Sequence, residues 1–219
     1  VVEIIGASFI ADEPTIFGKP NHDYIARELE WYNSQSLNVE DIPGETPSIW
    51  KMVSDENNLI HSNYGYLIYS EENFNQYTAA LETLCADPTS RRALMVYTRP
   101  SIQEEYNRDG MSDFICTNSV QLLIRDGKLV MIVNMRSNDA WAGYRNDYAW
   151  QKSIQTKAVN DYNKRNKNAP ISTGDIIWQV GSLHLYQNQF YLARHYAATG
   201  FYLYTFRPDT NTKQIIPNK

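Results

Sequence analysis

Phe114-Ile115-Cys116-Thr117-Asn118, running on through Val120-Gln121-Leu122-Leu123-Ile124, then Asp126-Gly127, then Lys128 to Met135 and Arg136, is the stretch on which the fold turns. Two apolar runs, Ile115 to Ile124 and Lys128 to Met135, flank an Asp-Gly pair. That pair between such runs is the strongest short-range hairpin signal. Residues about equally far from a hairpin turn face each other across it, so Cys116 and Arg136 come near one another. A single cysteine is by default a small buried hydrophobe. As a nucleophile it needs a cationic neighbour that favours the thiolate, and Arg136 supplies a candidate. Residue pattern alone leaves both readings open.

Working outward, residues 1–10 read as a strand. Residues 22–33 place Tyr24, Ile25, Leu29 and Tyr32 at helical spacing, and residues 71–85 do the same with Phe74, Tyr77, Leu81 and Leu84 before the stop at Asp87-Pro88. Ala93 to Tyr97 is a short strand of buried type, a long helix covers about 145–165, and Ile176 to Val180 and Tyr202 to Phe206 read as further strands. Irregularly interleaved strands and helices give an α+β fold, a mixed or antiparallel sheet with helices against one face. No repeat, low-complexity tract or linker divides the chain, so residues 1–219 form one domain.

The composition narrows the function. Hydrophobic residues make up 42% and charged residues 21%, an ordinary globular balance. The net charge of -5, without a basic run, argues against direct nucleic-acid binding. A few converging arginines still suffice for an anionic small molecule. Two cysteines, Cys85 and Cys116, form no CxxC pair, and the four scattered histidines have no metal-ligand spacing. No signal peptide or membrane-length apolar run is visible, which reads as a reducing, cytoplasmic setting. The chain begins in a strand without a methionine, so the natural N-terminus is expected upstream. Cys85 falls on the apolar face of the 71–85 helix and reads as core.

The order of motifs resembles the thymidylate synthase superfamily. Its members carry a catalytic Cys followed twenty residues later by Arg-Ser-x-Asp-x-x-x-Gly-x-x-x-Asn. Here Cys116 is followed at the same spacing by Arg136-Ser137-Asn138-Asp139, then Gly143, then Asp147 in place of Asn. Ser90-Arg91-Arg92 is similar to the arginine pair that reaches across a dimer to the partner's nucleotide phosphate. Gly181-Ser182-Leu183-His184-Leu185-Tyr186 is similar to the run whose His and Tyr hold the sugar hydroxyl. Glu28 matches the glutamate general acid, Trp50 a tryptophan lining the folate site, and Tyr64 a tyrosine near C5 of the pyrimidine. The resemblance implies a large mixed β-sheet with packed helices and a sheet-to-sheet homodimer. It implies methylene-tetrahydrofolate as co-substrate and no metal. Arg136, Ser137 and the partner chain's Arg91 and Arg92 would hold phosphate, His184 and Tyr186 the ribose, and Trp50, Asp139 and Gly143 the folate.

Asp147 is the informative departure. Uracil offers an N3–H donor and an O4 acceptor; cytosine offers an N3 acceptor and an N4 amino donor. A carboxyl group can accept from the amino group and, when protonated, donate to N3, so Asp favours cytosine. A helix N-terminal acid is the plain alternative for Asp147. A one-residue slip onto Asn146 would restore uracil. Ile4 to Phe9, Asp41 to Pro47, Gly110 to Phe114 and Arg145 to Gln151 resemble the deoxycytidylate hydroxymethylase branch of the superfamily. That branch implies dCMP as substrate and a phage enzyme working in the host cytoplasm. In the implied course Cys116 adds to C6, C5 takes the one-carbon unit, and water rather than hydride completes the product. Tyr64-Gly65-Tyr66-Leu67-Ile68 stands where the synthases carry Tyr-Gly-x-Gln-Trp, and Asn211 to Lys219 has no counterpart of their apolar C-terminal tail; both departures favour water. Reduction to 5-methyl-dCMP, a divergent dUMP enzyme, a CMP hydroxymethylase and a catalytically idle nucleotide-binding subunit stay open as alternatives. Other nucleotide-synthesis enzymes stay open as partners.

Overall fold

The computed structural model describes residues 1–203 and 215–216. In chain order the elements are β1 (Val2–Ile10), α1 (His22–Ser34), α2 (Ser48–Val53), α3 (Tyr64–Tyr69), α4 (Gln76–Ala86), β2 (Leu94–Val96) and α5 (Ile102–Glu105). There follow β3 (Thr117–Arg125), β4 (Lys128–Asp139), α6 (Gly143–Arg165), β5 (Ser172–Leu185), α7 (Phe190–Thr199) and the short pair β6 (Tyr202–Leu203) and β7 (Ile215–Ile216). Five strands make one sheet in the order β1-β5-β4-β3-β2. β4 and β5 run parallel, and the other neighbours are antiparallel. This is the α+β mixed sheet expected from the pattern.

The hairpin turns at Asp126 and Gly127, both with positive φ. From there β3 and β4 pair evenly out to Ser119 opposite Asn134, where Asn118 is inserted as a bulge and Thr117 pairs with Met135. The bulge moves Cys116 one place along its partner. The Arg136 backbone N–H therefore donates to the Cys116 carbonyl at 2.9 Å. The bulged Asn118 carbonyl is satisfied by the N–H groups of Tyr97 and Thr98 just beyond β2. Cys116 itself lies immediately before β3 rather than inside it.

One sheet face carries Val120, Leu122, Met131, Val133, Trp178 and Val180, all buried under α6, α4, α3 and α1. The alternate positions, Leu123, Val130 and Ile132 with the exposed Leu94 and Val96, form the opposite face. The helices cross closely. Gly65 in α3 sits so near α1 that a Cβ there would lie 1.7 Å from the Tyr32 carbonyl oxygen. Asn63 caps α3 by accepting from the Tyr66 N–H, and its amide donates to the carbonyls of Trp31 and Ser36. The start of α3, and with it Tyr64, is thereby fixed to α1.

Two expectations need correction. The helix expected over 71–85 begins at Gln76. Phe74 and Asn75 take left-handed backbone, Asn75 caps the helix by accepting from the Thr78 N–H, and Phe74 is 88% exposed instead of joining the apolar face. The strand read at Ile176 to Val180 extends over all of β5. The strand expected at Tyr202 to Phe206 is described only as β6, and the tail expectation for Asn211 to Lys219 lies outside the described residues apart from the backbone of β7. Cys85 is half-buried against the core, its sulfur accepting from the Asn166 amide.

A second irregularity, between Leu129 and Met131 of β4 and their β5 partners, is closed from the helix layer. The fully buried Gln155 of α6 donates to the carbonyls of Leu129 and Gly174, each at 2.9 Å. Gln155→Leu leaves both carbonyls buried and unpaired. The expected loss is about 2–4 kcal/mol of stability, read as a lower urea midpoint at unchanged slope. An unchanged midpoint would show that these bonds do not hold the bulge.

Candidate active site

The cleft forms where β4 and β5 end together. Their parallel register sets Ser137 beside Ser182 and Asp139 beside His184. α6 starts four residues after β4 and carries Asp147 back over the same end. α1 and α3 close the other side with Glu28 and Tyr64.

Arg136 is bound along the loop that precedes β3. Its Nε donates to the Ile115 carbonyl at 3.0 Å and its Nη2 to the Phe114 carbonyl at 2.6 Å, with the guanidinium carbon 4.7 Å from the Phe114 ring centre. The same Nη2 lies 3.5 Å from Cys116 Sγ. Asp113, buried at the head of this loop, accepts from the backbone N–H groups of His61 and Ser62 and from the Ser62 hydroxyl. The cysteine loop is thus tied to the segment leading into Tyr64. Burial pushes the Cys116 thiol up to about 11 against the pull of Arg136, with Asp147 and Asp113 adding to the rise.

Two carboxyl groups share the cleft. Glu28 is 4% exposed, and its Oε1 accepts from the Tyr24 hydroxyl at 2.7 Å and the Trp50 indole N–H at 3.3 Å. Burial raises it to about 7, while Tyr24, Trp50 and Asn146 hold it down. Asp147 accepts from the Asn138 amide at 2.7 Å. Burial first, then the nearby Glu28, raise it to about 8, opposed by Asn138 and Tyr64. Near neutrality Asp147 is therefore mostly a neutral acid, able to donate as well as accept. Tyr64 stacks on Tyr32 at 5.2 Å and meets Tyr97 edge-on at 5.3 Å.

The remaining expected residues fall in three places. His184 is buried at the cleft, its Nδ1 3.4 Å from Ser137 Oγ and its ring 4.9 Å from that of the half-exposed Tyr186. Asp139 has both oxygens engaged within the chain, by the Trp141 N–H and the Gln189 amide. Gly143 packs under the cleft, where a Cβ would lie 3.3 Å from Asp139 Cβ. Trp50 stands beside Glu28, flanked by the exposed Ile49 and Met52 of α2. Arg91 and Arg92 are exposed near the turn end of β3, about 20 Å along the strand from Cys116 at 3.3 Å per residue, and do not join the cleft of their own chain.

Asn138, Trp178, Tyr24 and Asn146 escaped the sequence reading. Strand alternation from Met131, Val133 and Met135 points Ser137 and Asp139 inward, yet the buried residue is Asn138 at 3% exposure. Asn146 counted only as a register hazard, and it faces Glu28 while Asp147 faces the Cys116 side. Among the described residues no cluster of His, Cys, Asp and Glu is arranged to hold a metal, and no helix is long and apolar enough to cross a membrane.

The fold is that of the thymidylate synthases, and the chain belongs to that family: the thymidylate synthase family model matches residues 19–199. The deoxycytidylate 5-hydroxymethyltransferase of Enterobacteria phage T4 is 58% identical over 199 residues, covering 91% of this chain and 81% of the phage protein. A thymidylate synthase of Francisella philomiragia is 26% identical over 174 residues, 75% of this chain and 61% of that one. Among solved structures, thermostable thymidylate synthase A from Bacillus subtilis matches with a TM-score of 0.67 and 22% identity, over 88% of this chain and 69% of that chain.

Two measurements test the electrostatics. In a Cys85→Ala background, Cys116 alkylation by iodoacetamide is expected to accelerate with pH toward about 11, and Arg136→Gln to move that rise higher because a cation favours the thiolate. A rise complete by neutral pH would contradict the burial argument. A carboxyl whose folded value lies above its unfolded value of about 3.9 favours the fold at low pH, and that contribution is lost as pH rises toward about 8 for Asp147. Asp147→Asn should therefore stabilise the protein relative to wild type by more than about 1 kcal/mol near pH 8 and by less near pH 5, as read by urea unfolding. Equal differences at both pH values would place the carboxyl in water.

Proposed function

We propose that this chain transfers a one-carbon unit from methylene-tetrahydrofolate to C5 of dCMP and hydrates it, giving 5-hydroxymethyl-dCMP and tetrahydrofolate. The observation that carries the reading is Asp147, a carboxyl raised toward neutrality at the position that faces the nucleophile. The identity to phage deoxycytidylate hydroxymethyltransferases supports it.

In this reading Cys116 loses its proton to water and the thiolate sulfur bonds to C6. The ring electrons move toward C5 and N3, where Asp147 donates its proton as negative charge develops. The accepting oxygen of Asp147 takes the N4 amino group, a pattern that uracil does not offer. Arg136 stabilises the attacking sulfur and, with Ser137, holds phosphate. His184 and Tyr186 hold the ribose hydroxyl. Glu28, raised to about 7, takes up and returns protons near neutrality. C5 bonds to the one-carbon unit, and loss of the C5 proton with departure of tetrahydrofolate would leave an exocyclic methylene. Glu28 polarises the water that adds there, after which the ring electrons return and expel the Cys116 thiolate. The folate supplies the one-carbon unit at the aldehyde oxidation level. Trp50, with the exposed Ile49 and Met52 of α2 beside Glu28, offers the apolar wall that fits a flat ring system, and Asp139 and Gly143 complete the folate site in this reading.

The same reading makes the protein a homodimer joined through the sheet face that carries Leu94, Val96, Leu123, Val130 and Ile132, with Arg91 and Arg92 reaching the other subunit's phosphate. Residues 1–219 act as one domain.

Tritium release from C5-labelled dCMP, without dihydrofolate, is the expected outcome with methylene-tetrahydrofolate, and Cys116→Ser should abolish it. Release from dUMP with dihydrofolate would establish a divergent synthase instead. Mixing Cys116→Ser subunits with Arg91→Ala/Arg92→Ala subunits should restore activity that neither shows alone, and no restoration would end the shared-site assignment.

A further inference from the structure

A neutral carboxyl is symmetric. Either oxygen can carry the proton, so an isolated Asp147 could present donor and acceptor in either order and suit cytosine or uracil equally. A selective site has to break that symmetry.

Asn138 is in a position to do so. Its Oδ1 accepts from the indole N–H of Trp178 at 3.2 Å, and its Nδ2 donates to Asp147 Oδ2 at 2.7 Å. Trp178 is fully buried. An indole N–H can only donate, so turning the amide over would set two donors against each other. The direction of the Asn138 bond to Asp147 is therefore fixed from behind. Gly143 leaves the room: a Cβ there would lie 3.5 Å from Asn138 Nδ2 and 3.7 Å from Asp147 Oδ2.

We propose that Asn138 is a specificity-determining positioning residue, whose N–H makes Oδ2 of Asp147 the accepting oxygen and leaves Oδ1 to carry the proton. This rests on the dCMP reading above. Oδ2 then receives the N4 amino group and Oδ1–H donates to N3. To take uracil, the proton would have to move to Oδ2, where the Asn138 N–H would meet a poorer acceptor. Asn138 need not touch the substrate, because it acts through Asp147.

The near-isosteric Asn138→Asp keeps an acceptor for Trp178 and replaces the N–H by an oxygen, which draws the Asp147 proton onto Oδ2. Its expected effect is a shift of the dCMP-to-dUMP affinity ratio by about tenfold or more toward dUMP, measured by calorimetry of each nucleotide without folate. Asn138→Ala should relax the ratio without inverting it. The pH profile supplies a second readout. Glu28 and Tyr32 from α1, Tyr64 from α3, Asp139 from β4 and Cys116 also face Asp147 and stay in place in both variants. The Asn138 bond favours the ionised form, so in Asn138→Ala the pH above which dCMP binding fades should move upward. Both affinities falling together, with the ratio and pH limit unchanged, would reduce Asn138 to packing and overturn the proposal. Wild-type protein preferring dUMP would instead overturn the dCMP reading, before any variant is made.

Discussion

The contact on which the site depends is the set of bonds between Arg136 and the loop from Phe114 to Cys116. Two side-chain bonds to the carbonyls of Phe114 and Ile115, and a backbone bond to Cys116, fix a segment that is not itself a strand. They form because Asn118 is bulged out of β3 and shifts the pairing by one residue. With even pairing the cysteine would face Ser137 and the guanidinium would miss the sulfur. Other parts of the cleft are measured from this point. The parallel β4–β5 register delivers Ser137 and His184, and the short link to α6 returns Asp147 over the thiol.

Electrostatically, the cleft withholds charge until substrate supplies a reason for it. Burial raises the thiol and both carboxyls; the Arg136 charge restrains the first rise and hydrogen bonds restrain the other two, without reversing them. A thiol, an acid near 7 and an acid near 8 within one enclosure form a graded proton inventory. Each member can change state as charge moves through a pyrimidine ring. Closely packed aromatic rings, Tyr32, Tyr64, Tyr97 and Trp150, keep the enclosure dry on the core side. Charge-directed hydrogen bonds count for more there than in water.

Much of the architecture was legible because local signals agreed. The Asp-Gly turn between apolar runs set the hairpin, helical spacing set α1, and the long helix expected over about 145–165 covers most of α6. Cys116 and Arg136 could be paired by counting from the turn, although the count works only because a bulge corrects it. Asn118 gave no sign of that bulge, since its carbonyl is satisfied by Tyr97 and Thr98, which lie just beyond β2 and about twenty residues earlier in the chain. Phe74 misled for a related reason: its apolar spacing suited a helix, but the Asn75 cap starts that helix later. Asn138 and Gln155 were silent because a buried amide shows its use only through the carbonyls, indoles or carboxyls that tertiary structure brings to it.

In the proposed reaction water, not hydride, completes the product on a cytosine base. The most direct measurement is mass analysis of the nucleotide formed from dCMP and methylene-tetrahydrofolate in heavy-oxygen water. The expected product is a hydroxymethylated cytosine nucleotide carrying one heavy oxygen on the new carbon, with tetrahydrofolate as co-product. An unlabelled methyl product formed together with dihydrofolate would contradict it.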